Sequence, residues 1–176
     1  MPEHPGFKLH PINGRSMVQL RVRPNGVDTA CESLQLPRQA LQWRDGDPAK
    51  HWLAPDQWLI TSDDKPSEEI ISHIHQKLSP QLYAATDMSS SYACFALEGP
   101  AARLILAMGC GIDMHPRVFK TGQCTRTNFA SVLLFIVAVE DNHFDLYIDR
   151  SHANYLCDWL LNSGEDPMTH DLNNYV

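Results

Sequence analysis

The chain has 176 residues, 43% apolar and 20% charged, a balance that packs a core and argues against disorder. Fourteen lysines and arginines against 21 aspartates and glutamates leave a net charge of −7, and no basic cluster stands out, so no nucleic-acid partner is expected. The longest apolar stretch, Val132 to Val139, falls far short of the roughly 18 residues of a membrane span, and residues 1–15 lack the apolar core of a secretory signal, so no membrane partner or export is expected. Cysteines 31, 94, 110, 124 and 157 form no close pair, which reads as reduced thiols in a cytoplasm.

Residues 1–16 combine Pro2, Pro5 and Gly6 with no apolar period and are expected to lie as an N-terminal arm. From Met17 the residues alternate: Val18, Leu20 and Val22 face one way, Gln19, Arg21 and Arg23 the other, predicting a strand that ends at Pro24-Asn25-Gly26. Between Ala40 and Ser62, Trp43, Trp52, Trp58, Leu59 and Ile60 surround two turn signals, Asp45 to Pro48 and Ala54 to Asp56, and short strands are expected. Ser67 is placed to cap a helix with Glu68 and Glu69 in its first turn and Ile70, Ile71, Ile74 and Leu78 at helical spacing, stopping before Pro80.

Strands are expected at Leu82 to Thr86 and Tyr92 to Leu97. Gly99-Pro100 then opens a helix carrying Leu104, Leu106 and Met108 and ending at a Gly109 cap. After a loop from 109 to 124, strands at Asn128 to Val139 and Phe144 to Ile148 flank a short polar connection, Glu140 to His143. A helix follows from Ser151, its expected cap, to Leu161, with Tyr155, Leu156, Trp159 and Leu160 on one stripe. Residues 164–176 read as a C-terminal tail. The second half is thus strand, helix, strand, strand, helix, and the first a looser copy. The fold class is α+β: a single bilobed domain over residues 17–163, made of two small sheet-plus-helix lobes, the second ferredoxin-like.

No phosphate-cradling glycine motif occurs, since Gly109-Cys110-Gly111 follows a helix rather than a strand. Cys110 and His115 share a loop, but two candidate ligands do not make a metal site. The loop Cys110 to Pro116 is instead expected to be stapled by hydrogen bonds of Asp113 and His115. His73 and His75 point to different faces of one helix and read as surface residues. Asp87-Met88-Ser89-Ser90-Ser91 is rich in hydroxyls, and between two strands it reads as an Asx or Ser turn. The tryptophans read as core. No catalytic, cofactor or metal-binding residue is expected on this chain.

Several stretches have a wider likeness. They are Leu53-Ala54-Pro55-Asp56-Gln57-Trp58-Leu59, Asp87-Met88-Ser89, Leu97 to Arg103, Gly109 to Pro116, Phe119 with Gly122 and Cys124, and Phe144 to Ser151, closed by Ala153, Tyr155, Leu156, Trp159 and Leu160. Over Trp52 to Leu161 the chain resembles the gamma subunit of heterotetrameric sarcosine oxidase, itself similar to the folate-binding T-protein of the glycine cleavage system. One departure is Gly111-Ile112, where the gamma pattern usually reads Pro-Leu. The resemblance implies a T-protein-like fold and a non-catalytic chain beside alpha, beta and delta subunits. Those partners would hold FAD, FMN, NAD and tetrahydrofolate, oxidise sarcosine to glycine and pass on its methyl carbon. It marks Asp87, Ser89, Gly99, Pro100, Arg103, Cys110, Asp113, His115, Arg150 and Trp159 as motif or interface residues. A stand-alone folate-binding aminomethyltransferase is the alternative, but residues 125–139 lack the carboxylate that the T-protein group would place there.

Overall fold

The computed structural model describes residues 6–164. Residues 8–12, expected to belong to an arm, instead form a strand, β1 (Lys8–Ile12), antiparallel to a later strand in the register Lys8 with Glu98 and Ile12 with Cys94. Leu9 of β1 is buried, and Pro11 is tolerated because β1 is an edge strand, where a missing N–H breaks no ladder.

Two compact units make up the chain. Asn13–Ser91 is one; residues up to Ile12, together with those from Tyr92 onward, are the other. The first contains β2 (Ser16–Val22), a 3-10 turn at Pro24–Gly26, α1 (Val27–Leu34), β3 (Trp43–Arg44), β4 (Ala49–Ala54), β5 (Gln57–Ser62), α2 (Ser67–Leu78) and β6 (Tyr83–Asp87). Its sheet runs β3-β4-β5-β2-β6 with every pairing antiparallel. Setting the added edge strand β3 aside, β2-α1-β4-β5-α2-β6 is the β-α-β-β-α-β order of a ferredoxin-like fold, so the supposed looser copy is the complete one.

The expected alternation holds: Val18, Leu20 and Val22 are buried with Trp58 and Ile60 under Ala30, Cys31 and Leu34 of α1 and Ile70, Ile74 and Leu78 of α2. Helix α1 was not anticipated. Ser67 is not the cap of α2; Pro66 takes that position, and Ser67, already helical, turns its hydroxyl to Asp87.

The second unit adds to β1 the elements β7 (Tyr92–Glu98), α3 (Ala102–Gly109), β8 (Cys124–Phe129), β9 (Val132–Glu140), β10 (His143–Asp149), a 3-10 turn at Arg150–His152 and α4 (Ala153–Gly164). Its order, β1-β7-β10-β9-β8, is again ferredoxin-like with an extra edge strand, β8. The fourth strand, however, is β1 from the N-terminal side, so this lobe is a circular permutation of the other. Leu97, Phe144, Leu146, Leu134 and Ile136 of the sheet pack with Ile105 and Leu106 of α3 and Leu156 and Leu160 of α4.

Four local expectations are corrected. The single strand foreseen from Asn128 to Val139 is a hairpin, broken at Ala130-Ser131 with Ala130 in the left-handed region at φ 49°. Helix α3 begins at Ala102, two residues after Pro100, and Gly109 lies within its last turn rather than capping it. Met108, on that helix, is exposed. Ser151 sits in the 3-10 turn ahead of α4. The expected tail lies outside the described residues beyond Gly164.

Candidate functional site

The approach to α3 is built on close backbone contact. Gly99 has φ 122°, and a β-carbon there would sit 2.8 Å from the Gly6 carbonyl oxygen and 2.9 Å from Phe7 Cα, so only glycine fits. Its N–H donates to the Asn142 carbonyl (3.0 Å), and Ala101 N–H donates to Gly6 (2.9 Å), fixing the segment that leads into β1. Pro100 lies between them on the surface.

Arg103, in the first turn of α3, ties the long loop after that helix to the β9–β10 turn. Its Nη1 donates to the carbonyls of Met114 (2.7 Å) and Phe119 (2.8 Å), while Nη2 and Nε donate to Asp141 O (3.0 and 3.2 Å). The guanidinium also lies 4.9 Å from the centre of the Phe144 ring. Burial pulls its pKa down, and the Asp141 charge works the other way.

Beyond α3 the expected staples are present: Asp113 Oδ1 accepts His115 N–H (2.8 Å), and His115 Nδ1 accepts Arg117 N–H (3.1 Å). The His115 carbonyl accepts from Val118 and Phe119, closing the turn that Arg103 holds from the other side. Cys110 follows α3 and bridges to Phe129; burial pushes its thiol up to about 12, leaving it without the thiolate that reactivity needs. Trp159 meets the Phe129 ring edge-on at 4.5 Å between centroids. Arg150 Nη2 donates to the Tyr92 carbonyl (2.8 Å), tying the turn before α4 to the start of β7.

Asp87 and Ser89 lie in the other unit. Asp87 accepts from the Ser89 hydroxyl (2.6 Å), the Ser67 hydroxyl (2.7 Å) and the Ser89 amide (2.9 Å), and the Ser89 and Ser67 hydroxyls hold its carboxyl below the usual range. Ser89 Oγ in turn accepts Met17 N–H (2.9 Å). This is the foreseen Asx turn, extended to pin the end of β6 to the start of α2 and to β2.

Motif reasoning passed over His51. It is 2% exposed on β4, its Nε2 is 3.1 Å from Thr61 Oγ1, and its ring stacks on Trp43. Burial, with a smaller contribution from the Arg15 charge, lowers its pKa from 6.5 to about 3, so it is neutral at physiological pH. In the sequence it lies only within the 40–62 stretch where short strands are expected, and its burial becomes visible with the pairing of β4 and β5 that sets it opposite Leu59.

The motif residues therefore do not converge on one reacting centre. Asp87 and Ser89 belong to Asn13–Ser91, the other eight to the second unit, where Gly99, Arg103, Cys110, Asp113 and His115 gather around α3. Among the described residues no group of three or more His, Cys, Asp or Glu is placed to hold a metal ion. A cavity of 80 Å³ lined by Leu34, Ile60, Ile70 and Ile74, with Lys50 and Glu69, contains none of the motif residues. No helix among the described residues is long and apolar enough to cross a membrane.

Two ferredoxin-like lobes, one completed by an N-terminal strand, define a fold shared with T-type aminomethyltransferases. The glycine cleavage system aminomethyltransferase T from Bartonella henselae superposes with a TM-score of 0.66 at 13% identity, over 89% of this chain and 45% of that one. A chain of heterotetrameric sarcosine oxidase from Corynebacterium sp. U-96 superposes with a TM-score of 0.82 at 21% identity, over 93% of this chain and 86% of that one. Residues 26–166 match the sarcosine oxidase, gamma subunit family, and the chain belongs to that family. The sarcosine oxidase gamma subunits of Corynebacterium sp. strain U-96 and of Arthrobacter sp. are 25% and 28% identical to it over 112 residues, 64% of this chain. The aligned part spans 54% of those relatives, about half their length.

Proposed function

We propose that the chain works as the gamma subunit of a sarcosine-oxidase-type heterotetramer and contributes to assembly rather than chemistry. Its partners are then alpha, beta and delta subunits that hold FAD, FMN, NAD and tetrahydrofolate. The complex demethylates sarcosine oxidatively to glycine and transfers the methyl carbon to tetrahydrofolate. Free cysteines throughout the chain agree with a cytoplasmic location.

The observation that carries this reading is the use of Arg103. The motif's cation, which in an active site would face a substrate anion, points all its hydrogen bonds at carbonyls of Met114, Phe119 and Asp141. Asp113 and His115 are likewise engaged with main-chain N–H groups. Strands β8 and β9 offer no carboxylate before Glu140, which removes support for independent folate chemistry of the T-protein kind.

Co-expression with the genomic neighbours tests the proposal. The full chain should co-purify with flavin-bearing larger chains in a yellow complex that turns over sarcosine, and leaving it out should lower the yield or stability of those chains. Alone it should show neither flavin absorbance nor turnover. Partners that assemble and work equally well without it would refute the reading, as would sarcosine turnover by the isolated chain.

A further inference from the structure

We propose that the surface around Leu82, at the start of β6, is the docking site for an acidic segment of another subunit, one presenting an apolar side chain beside a carboxylate. This inference rests on the subunit reading above and gives it a location.

Leu82 is 62% exposed, the most exposed of the large apolar side chains among the described residues. It is held there: its carbonyl accepts Arg23 N–H (3.2 Å), and the Tyr83 that follows is paired with Val22. Two hollows of about 430 and 330 Å³ adjoin it, the first lined by Arg21, Pro24 and Tyr83, the second by Asn25, Pro80 and Gln81, with Leu82 and Arg23 common to both. A lone exposed leucine needs no explanation, but one seated between two hollows offers a place for a partner side chain on either flank.

The charge around it is positive in a chain whose net charge is −7. Arg21 pairs with Asp56 at 3.1 Å, whereas Arg23 has no carboxylate within ion-pair distance among the described residues. An unpaired guanidinium beside an exposed leucine is complementary to a carboxylate next to an apolar side chain. The second hollow adds an unmet acceptor. Gln81 Oε1 is buried without a hydrogen-bond partner, and a β-carbon on Gly26 would lie 2.8 Å from it, so the glycine leaves that amide its room. Turning the amide toward a donor on a partner would relieve an unsatisfied group.

The same charges argue against a second copy of this chain as the occupant. A symmetric contact centred on Leu82 would bring Arg23 toward its own equivalent in two molecules that both carry −7.

The test is co-purification of the complex with the full chain carrying Leu82→Asp, Arg23→Glu or Arg23→Gln. Both side chains are exposed, so each variant should keep the wild-type thermal midpoint when isolated. We expect Leu82→Asp and Arg23→Glu each to lower the recovered partner chains by about ten-fold or more, as loss of an interface anchor does. Arg23→Gln should give a smaller loss and a weaker dependence of recovery on salt. Full recovery with both Leu82→Asp and Arg23→Glu while the wild type assembles would overturn this docking site and leave the subunit reading standing. No assembly of the wild type with its neighbours would overturn both, and Leu82-dependent self-association of the isolated chain would assign the face to a second copy instead.

Discussion

Arg103 Nη1 donates to the Met114 carbonyl at 2.7 Å, joining the first turn of α3 to the loop that carries Asp113 and His115. Because the same guanidinium also holds Phe119 and Asp141, one side chain sets the positions of a helix, a long loop and a hairpin turn. Arg103→Ala should leave several carbonyls without their donor, costing about 2–4 kcal/mol. That corresponds to a drop of roughly 4–16 °C in the unfolding midpoint of a chain this size. Arg103→Lys should recover little, since a point ammonium cannot reproduce the planar fork. Calorimetry of the three proteins decides it, and an unchanged midpoint for Arg103→Ala would contradict the role assigned.

A β-carbon on Gly109 would lie 2.6 Å from the Phe129 ring, and Trp159 packs against that ring edge-on, which limits its escape. Gly109→Ala is therefore expected to destabilise the fold by roughly 1–3 kcal/mol despite the helical gain of alanine. Adding Phe129→Leu should make the Gly109→Ala step milder than it is in the wild-type background, a non-additivity that a double-mutant cycle measures. Strict additivity would show that the two sites do not meet.

Stability should fall in acid in two separable stages. His51 is held at about 3 in the fold against 6.5 unfolded, so over that interval the unfolded chain binds the extra proton and stability drops as pH falls from 6.5 toward 3. Asp87, whose carboxyl is held below its usual value of 3.8 by the Ser89 and Ser67 hydroxyls, stabilises above that value and loses its contribution only as pH falls through its lowered one. Urea unfolding across the range should show that His51→Gln flattens the upper part of the decline, while Asp87→Asn flattens only the part below about pH 4. If His51→Gln leaves the slope between pH 6 and 4.5 unchanged, the burial assigned to His51 is wrong.

The elements legible in the sequence were those whose burial is periodic. Val18, Leu20 and Val22 declared β2, and Ile70, Ile74 and Leu78 declared α2. Strand β1 was missed because Pro11 and two polar neighbours mask its one buried position, Leu9, and only pairing with β7 makes the segment extended. Helix α1 was missed because eight residues without a side-chain cap give little local signal, and its burial of Ala30, Cys31 and Leu34 comes from packing on the sheet and α2. The β8–β9 turn was hidden because Ala130 adopts a left-handed backbone usually marked by glycine or asparagine. Spacing showed that Asp113 and His115 organise a loop. That Arg103 reaches the same loop depends on how α3 packs, which no local pattern encodes.

Asp87, the one acid of the Asp-x-Ser motif, accepts hydrogen bonds from the Ser67 and Ser89 hydroxyls, and it gives the most direct test of whether chemistry resides on this chain. The measurement is sarcosine turnover by the purified whole complex carrying Asp87→Asn in this subunit, with subunit composition checked in the same preparation. The account predicts turnover within a few-fold of wild type and full assembly. Turnover lowered by several orders of magnitude with all subunits present would place a catalytic carboxylate here and contradict the assembly role.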